Sequence, residues 1–245
     1  NMTYTIGKGG IFMFERNEDY FEPQYAATSL QKHAVRTFGW MTLGLLVTTA
    51  TAFAVYSTDL IYYIYTMRFA PLILIAAQFG VVIALGARLM KMSATSAKIL
   101  FLAYSMLTGI TFSTLALVYL PGTLAMAFLM TTVYFGSLAV IGYTTKMNLL
   151  RFGPILFGSL LALIITEVIM MFMGADTSTM LMSAIGLLIF TGLTAYDAQK
   201  MKALYASYEG DEEMLKKLSI YSAFELYLDF INIFLYILRF VGNRD

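Results

Sequence analysis

Seven apolar stretches of about 20 residues divide this chain, and each is long enough to cross a hydrocarbon core of about 30 Å as a helix. They cover residues 38–57, 69–90, 99–119, 123–144, 152–172, 180–199 and 219–240. The links are short except for 200–218, and no internal repeat is evident. Within a bilayer the backbone must satisfy its own hydrogen bonds, which a helix does. The expected fold is all-α: a polytopic bundle of seven transmembrane helices over residues 37–245, preceded by a tail, 1–36. Composition agrees. The 245 residues are 59% apolar and 13% charged, where soluble domains run at about 45–50% apolar.

A formal net charge of +1 gives no reason to expect nucleic acid as a partner. With no cysteine, disulfides and thiolate metal sites are excluded. The tail lacks an early apolar core of the kind a cleavable signal needs, so it reads as cytosolic. His33, the only histidine, falls in this tail and reads as solvated or interfacial.

The last stretch, SIYSAFELYLDFINIFLYILRF, is the most informative. Glu225, Asp229, Asn232 and Tyr236 follow a 4, 3, 4 spacing and so share one helical face, while the other faces are Leu, Ile and Phe. A carboxylate at the centre of an inserted helix costs about 2.5–3.5 kcal/mol and rarely faces lipid. This helix is therefore expected at the centre of the bundle. It should begin near Asp211, because acidic residues fill a first turn and Glu212–Lys216 and Glu213–Lys217 are spaced for solvated ion pairs.

Further polar positions lie within the spans. Ala76, Gly80, Ala84 and Arg88 recur every fourth residue, a groove for close helix packing that would aim Arg88 into the bundle. Ser105, Gly109 and Ser113 form a second such seam. Asp197 ends the sixth span in TGLTAYDAQ, shallower than Asp229 in these windows, and the chain returns Asp229 from the same side. Glu167, in the outer half of the fifth span, reads equally as a pore-lining group or as a hydrogen-bonded carboxyl of the core. Of 16 lysines and arginines, only Arg68, Arg239 and Arg244 fall on the side opposite the tail. The tail is thus expected in the cytosol and the C-terminus on the far side.

AYDAQ in the sixth span and LYLDFINIFLYILRF in the seventh resemble the paired hallmarks of the Bax inhibitor-1, or transmembrane Bax inhibitor motif, family. The second span ending in Arg88 fits the same pattern, and the short links look closest to bacterial members, which implies an inner (plasma) membrane location. The resemblance implies a last helix wrapped by the other six and a pH-sensitive calcium leak. It assigns Asp197 and Asp229 to the pH sensor and to transient calcium binding, and Arg88 to a latch on the closed state. Glu225, Asn232 and Glu167 receive no family role and stand as pore or accessory polar positions.

Two carboxylates in a low-dielectric site resist ionising together and titrate as a pair. Calcium wants about 6–8 oxygens, so two aspartates suit a passing ion rather than a stored one, and no tightly bound cofactor is expected. Proton and calcium would compete there, with lipid as the remaining partner. The other reading is a non-conducting interaction protein that modulates a membrane protease or a cell-death partner, with the Asp–Arg network serving only packing. An enzyme is not expected: His33 lies outside the spans, leaving no intramembrane Ser–His pair.

Overall fold

The computed structural model describes residues 5–6, 12–13, 22–58, 60–175 and 179–242; most of the tail lies outside them. The helices are α1 (Glu22–Ser57), α2 (Leu60–Thr66), α3 (Ala70–Arg88), α4 (Ala94–Phe112) and α5 (Leu115–Val118). They continue as α6 (Pro121–Thr144), α7 (Gly153–Phe172), α8 (Met180–Ser207) and α9 (Glu212–Val241). A two-residue antiparallel pairing joins Thr5–Ile6 to Phe12–Met13.

Among the described residues six segments have the length and apolar character to cross a bilayer: Ser29–Ser57, Ala70–Lys91, Ala94–Val118, Pro121–Thr144, Leu149–Phe172 and Met180–Ser207. Their outward faces are apolar and exposed, as at Leu72, Ile73 and Ile83 on α3 and Ile155, Leu161 and Ile165 on α7. Water would not tolerate such a belt, whereas lipid covers it. The chain is an integral membrane protein.

Helix α9 carries Glu225, Asp229 and Arg239 within its apolar length, and it is buried on most sides from Leu215 to Leu238. Aromatic rings hold it edge to face. Tyr104 of α4 meets Phe224 at 5.0 Å between centroids, and Phe101 meets Tyr227 at 5.4 Å. On α6, Phe128 and Phe135 meet Phe230 at 5.4 and 5.5 Å. Each such pair contributes about 0.5–1.5 kcal/mol beyond its buried area, and their geometry sets the rotation of α9. The Tyr227 hydroxyl shares a hydrogen bond of 2.7 Å with Thr48 of α1.

Two devices start α9. Gly210 takes a φ of +94°, which favours glycine. Asp211 then caps the helix, its Oδ1 accepting from the Met214 N–H at 2.9 Å. The solvated Glu213–Lys217 pair does not form: Lys217 turns inward and is buried. Among the described residues the ion pairs are Lys200–Glu225 and Arg239–Glu167.

Of the two small-residue seams, one packs helix to helix. Ser105 and Ser113 are buried, and a Cβ on Gly109 would lie 2.6 Å from the Thr48 carbonyl oxygen of α1. The α3 groove is not used: a Cβ on Gly80 would meet nothing within 4 Å. The inward face of α3 is instead set by Leu85 and Leu89. A fourth-residue rhythm identifies a face, while the neighbouring helices decide whether anything fills it.

His33 is likewise not solvated. It is 3% exposed and packs, tilted, against the ring of Tyr205 at 5.4 Å between centroids. The reason is that α8 continues to Ser207, eight residues past its expected end at 199, and so carries Tyr205 under the start of α1. The Tyr205 hydroxyl is hydrogen-bonded to Ser29 and donates to Glu209.

Candidate functional site

A cavity of about 350 Å³ runs along α9 and is walled by α3, α7 and α8. Its polar lining is Glu225, Asp229, Asn232 and Tyr236 of α9, with Asp197 of α8 and Glu167 of α7. The helical face that these α9 residues share by spacing is thus the face turned to this cavity. Phe79 and Val82 of α3 and Leu160 and Leu163 of α7 supply apolar walls opposite.

Three residues of the AYDAQ motif have separate tasks. Tyr196 packs at Gly153, where a Cβ would lie 2.9 Å from the tyrosine hydroxyl, and meets the Phe157 ring edge to face at 5.7 Å. Asp197 enters the cavity. Gln199 clamps the link between α6 and α7, accepting from the Leu149 N–H and donating to the Met147 carbonyl, both at 2.7 Å. One turn on, Lys202 donates to the Tyr143 carbonyl at 2.6 Å. These ties hold the Asp197 backbone at a fixed height.

Asp197 and Asp229 are 6% and 3% exposed, and their side chains stand side by side in this cavity across the α8–α9 seam. Thr194, one turn before Asp197, also contacts the Asp229 carboxyl. The depth mismatch expected between the two aspartates is absent because α8 extends to Ser207. Asp197 is thereby about 15 Å from that helix end rather than at it. Two such carboxyl groups can share a hydrogen bond only when one carries a proton, since carboxylates only accept. Among the described residues one oxygen of each, Asp197 Oδ1 and Asp229 Oδ2, is buried without a hydrogen-bond partner.

Arg88 does not join this pair. It ends α3 exposed, and among the described residues it makes no ion pair. Leu85 and, just past the helix, Leu89 are the buried residues at this end, and Arg88, on the flank of their face where α3 gives way to a turn at Leu89–Lys91, stays exposed. The cation beside the aspartates is Lys200, whose Nζ donates to Glu225 Oε1 at 2.6 Å. By hydropathy Lys200 falls in the link after the sixth span; its position three residues after Asp197, on the same helical face, is the signal in the sequence that points to it.

At the other end of the cavity Glu167 Oε1 lies 3.5 Å from the Tyr236 hydroxyl, which donates to it, and 3.9 Å from Arg239. Asn232 donates to the Leu228 carbonyl one turn back at 2.8 Å. Among the described residues no three His, Asp or Glu side chains converge closely enough to hold a resident metal ion.

Comparison with known proteins agrees with this architecture. A family model described as "Inhibitor of apoptosis-promoting Bax1" matches residues 30–245. A protein of Escherichia coli (strain K12) named "Inner membrane protein YbhL" is 38% identical over 233 residues, covering 94% of this chain and 98% of its own. An uncharacterised protein of Borreliella burgdorferi is 38% identical over 216 residues, covering 87% of this chain and 92% of its own. Another, from Rickettsia prowazekii, is 35% identical over 215 residues, covering 88% and 91%. With a family match over nearly its whole length and relatives aligned almost end to end, the chain belongs to the Bax inhibitor-1 family of integral membrane proteins.

Proposed function

We propose that this protein is a seven-span membrane bundle with α9 at its centre, and that it passes calcium through the cavity along α9 under control of the Asp197–Asp229 pair. The observation that carries this reading is the contact of two buried carboxyl groups across the α8–α9 seam. The charge on such a pair changes with pH, and with it the force between the two helices. Calcium, as the transported ion, would take carboxylate oxygens from Asp197 and Asp229 and keep part of its water shell, since about 6–8 ligands are needed. Glu225, Asn232 and Glu167 extend the polar path along the cavity. Arg88, exposed at the end of α3, has no latching part in this arrangement. We place the protein in a bacterial inner membrane with the N-terminus in the cytosol, following the lysine and arginine bias of the links.

Calcium flux into proteoliposomes across a pH series tests the reading. The unaltered protein should leak in a pH-dependent way. Asp229→Asn keeps a hydrogen-bond donor facing Asp197 but cannot titrate, so it should flatten the pH response, as should Asp197→Asn. Undiminished flux and pH dependence in both variants would overturn the sensor role. Absence of flux from folded protein at every pH would turn attention to the non-conducting, partner-modulating reading.

A further inference from the structure

Lys200 stands against one carboxylate and three aromatic rings. Its Nζ lies 2.6 Å from Glu225 Oε1. It also stands 5.2 Å from the Tyr221 ring centroid and 5.9 Å from those of Tyr196 and Phe157. The three rings come from α7, α8 and α9, so the ammonium group joins all three helices at the end of the cavity where Glu225 and Tyr221 line the wall. One carboxylate with several aromatic rings is a setting that selects positive charge.

The oxygens beside this cage are under-supplied with donors. Among the described residues Glu225 Oε2, Asp197 Oδ1 and Asp229 Oδ2 are each buried without a hydrogen-bond partner, and all three side chains line the same cavity. A buried carboxylate oxygen without a donor is costly, and a cation entering the cavity would relieve that cost. The cation already present, Lys200, is held by its own chain and satisfies one oxygen of Glu225.

We propose that Lys200 is a tethered cation: in this conformation it holds the place at Glu225 that a divalent cation must take, so that an ion enters only by displacing it. Lys200 is thus a positioning and selectivity residue for the carboxylate cluster. The proposal rests on the cation-conducting reading given above and adds what competes with the ion. The four-carbon stem of lysine suits the role, because the ammonium group can swing aside without moving α8. The competition is direct: a divalent ion must bind more favourably than one ammonium group at the same carboxylate.

Terbium(III), a calcium mimic whose luminescence is sensitised by nearby tyrosine, reports binding beside Tyr221 and Tyr196 in purified, detergent-solubilised protein. Lys200→Met keeps the length and removes the charge, and should tighten terbium binding about tenfold or more, since one charge-assisted contact no longer competes. Lys200→Arg, which keeps the charge, should bind as the parent does, and Glu225→Gln added to Lys200→Met should erase the gain. Lys200→Gln serves as the uncharged variant should Lys200→Met fail to fold. Calcium flux should rise in Lys200→Met and stay near the parental level in Lys200→Arg. Equal terbium affinity in parent, charged and uncharged variants would overturn the proposal. A parent with no calcium flux at any pH but with the expected terbium ranking would instead refute the leak reading and leave Lys200 as the competitor at a binding site.

Discussion

The height of Asp197 depends on how closely α8 approaches α6, and one glycine sets that approach. A Cβ on Gly142 of α6 would lie 2.7 Å from Ala195 Cα and 2.8 Å from its carbonyl carbon. Carbon atoms rest at about 3.5–4.0 Å, so Gly142→Ala must separate the helices by about 1 Å. The opposing atoms are backbone, and no rotamer change relieves the clash. Overpacking of this kind costs about 1–3 kcal/mol. Gly136 on the same helix supplies the control, because a Cβ there would meet nothing within 4 Å. Both variants gain about 0.8–1.0 kcal/mol of helix propensity, so the difference between them isolates the overpacking cost. At about 2–4 °C per kcal/mol for a chain of this size, Gly142→Ala should melt about 2–12 °C below Gly136→Ala. Thermal unfolding in detergent, followed by circular dichroism, reads both. Ala195 lies two residues from Asp197, so the same variant should also shift the pH midpoint of calcium flux. Equal melting temperatures for the two variants would refute the claimed α6–α8 contact and the positioning argument built on it.

Other outcomes follow from the same geometry. Arg88→Ala should leave flux and its pH dependence unchanged, because Arg88 is exposed and unpaired among the described residues; a constitutive leak would restore the latch. His33→Leu should raise the melting temperature, since among the described residues both ring nitrogens are buried without a partner and such groups cost about 1–3 kcal/mol each. A lower melting temperature would mean that the imidazole is satisfied and structural.

Much of the site is legible in the amino-acid sequence. The 4, 3, 4 spacing of Glu225, Asp229, Asn232 and Tyr236 follows from helical geometry alone, and these side chains line one cavity. AYDAQ marks Asp197, and its contact with Asp229 accords with the chain reversal between α8 and α9. The identity of the neighbouring cation is not legible. Arg88 and Lys200 both lie near the ends of apolar spans, and only the end of α3 at Arg88 and the continuation of α8 to Ser207 leave one exposed and half-bury the other against Glu225.

The sequence by itself determined that the chain enters a membrane, where its apolar spans lie and which residues share a face of each helix. Those properties are local: they depend on side-chain hydrophobicity and on a period of 3.6 residues. Tertiary structure decided which faces meet and at what height. Gly80 and Gly142 are the same residue within apolar helices, yet one borders open space and the other touches the α8 backbone. His33 is polar and stands in a polar stretch, yet Tyr205 covers it. Helix rotation and register are set by contacts between distant segments, such as the aromatic rings around α9, and no periodicity within one helix encodes its partner.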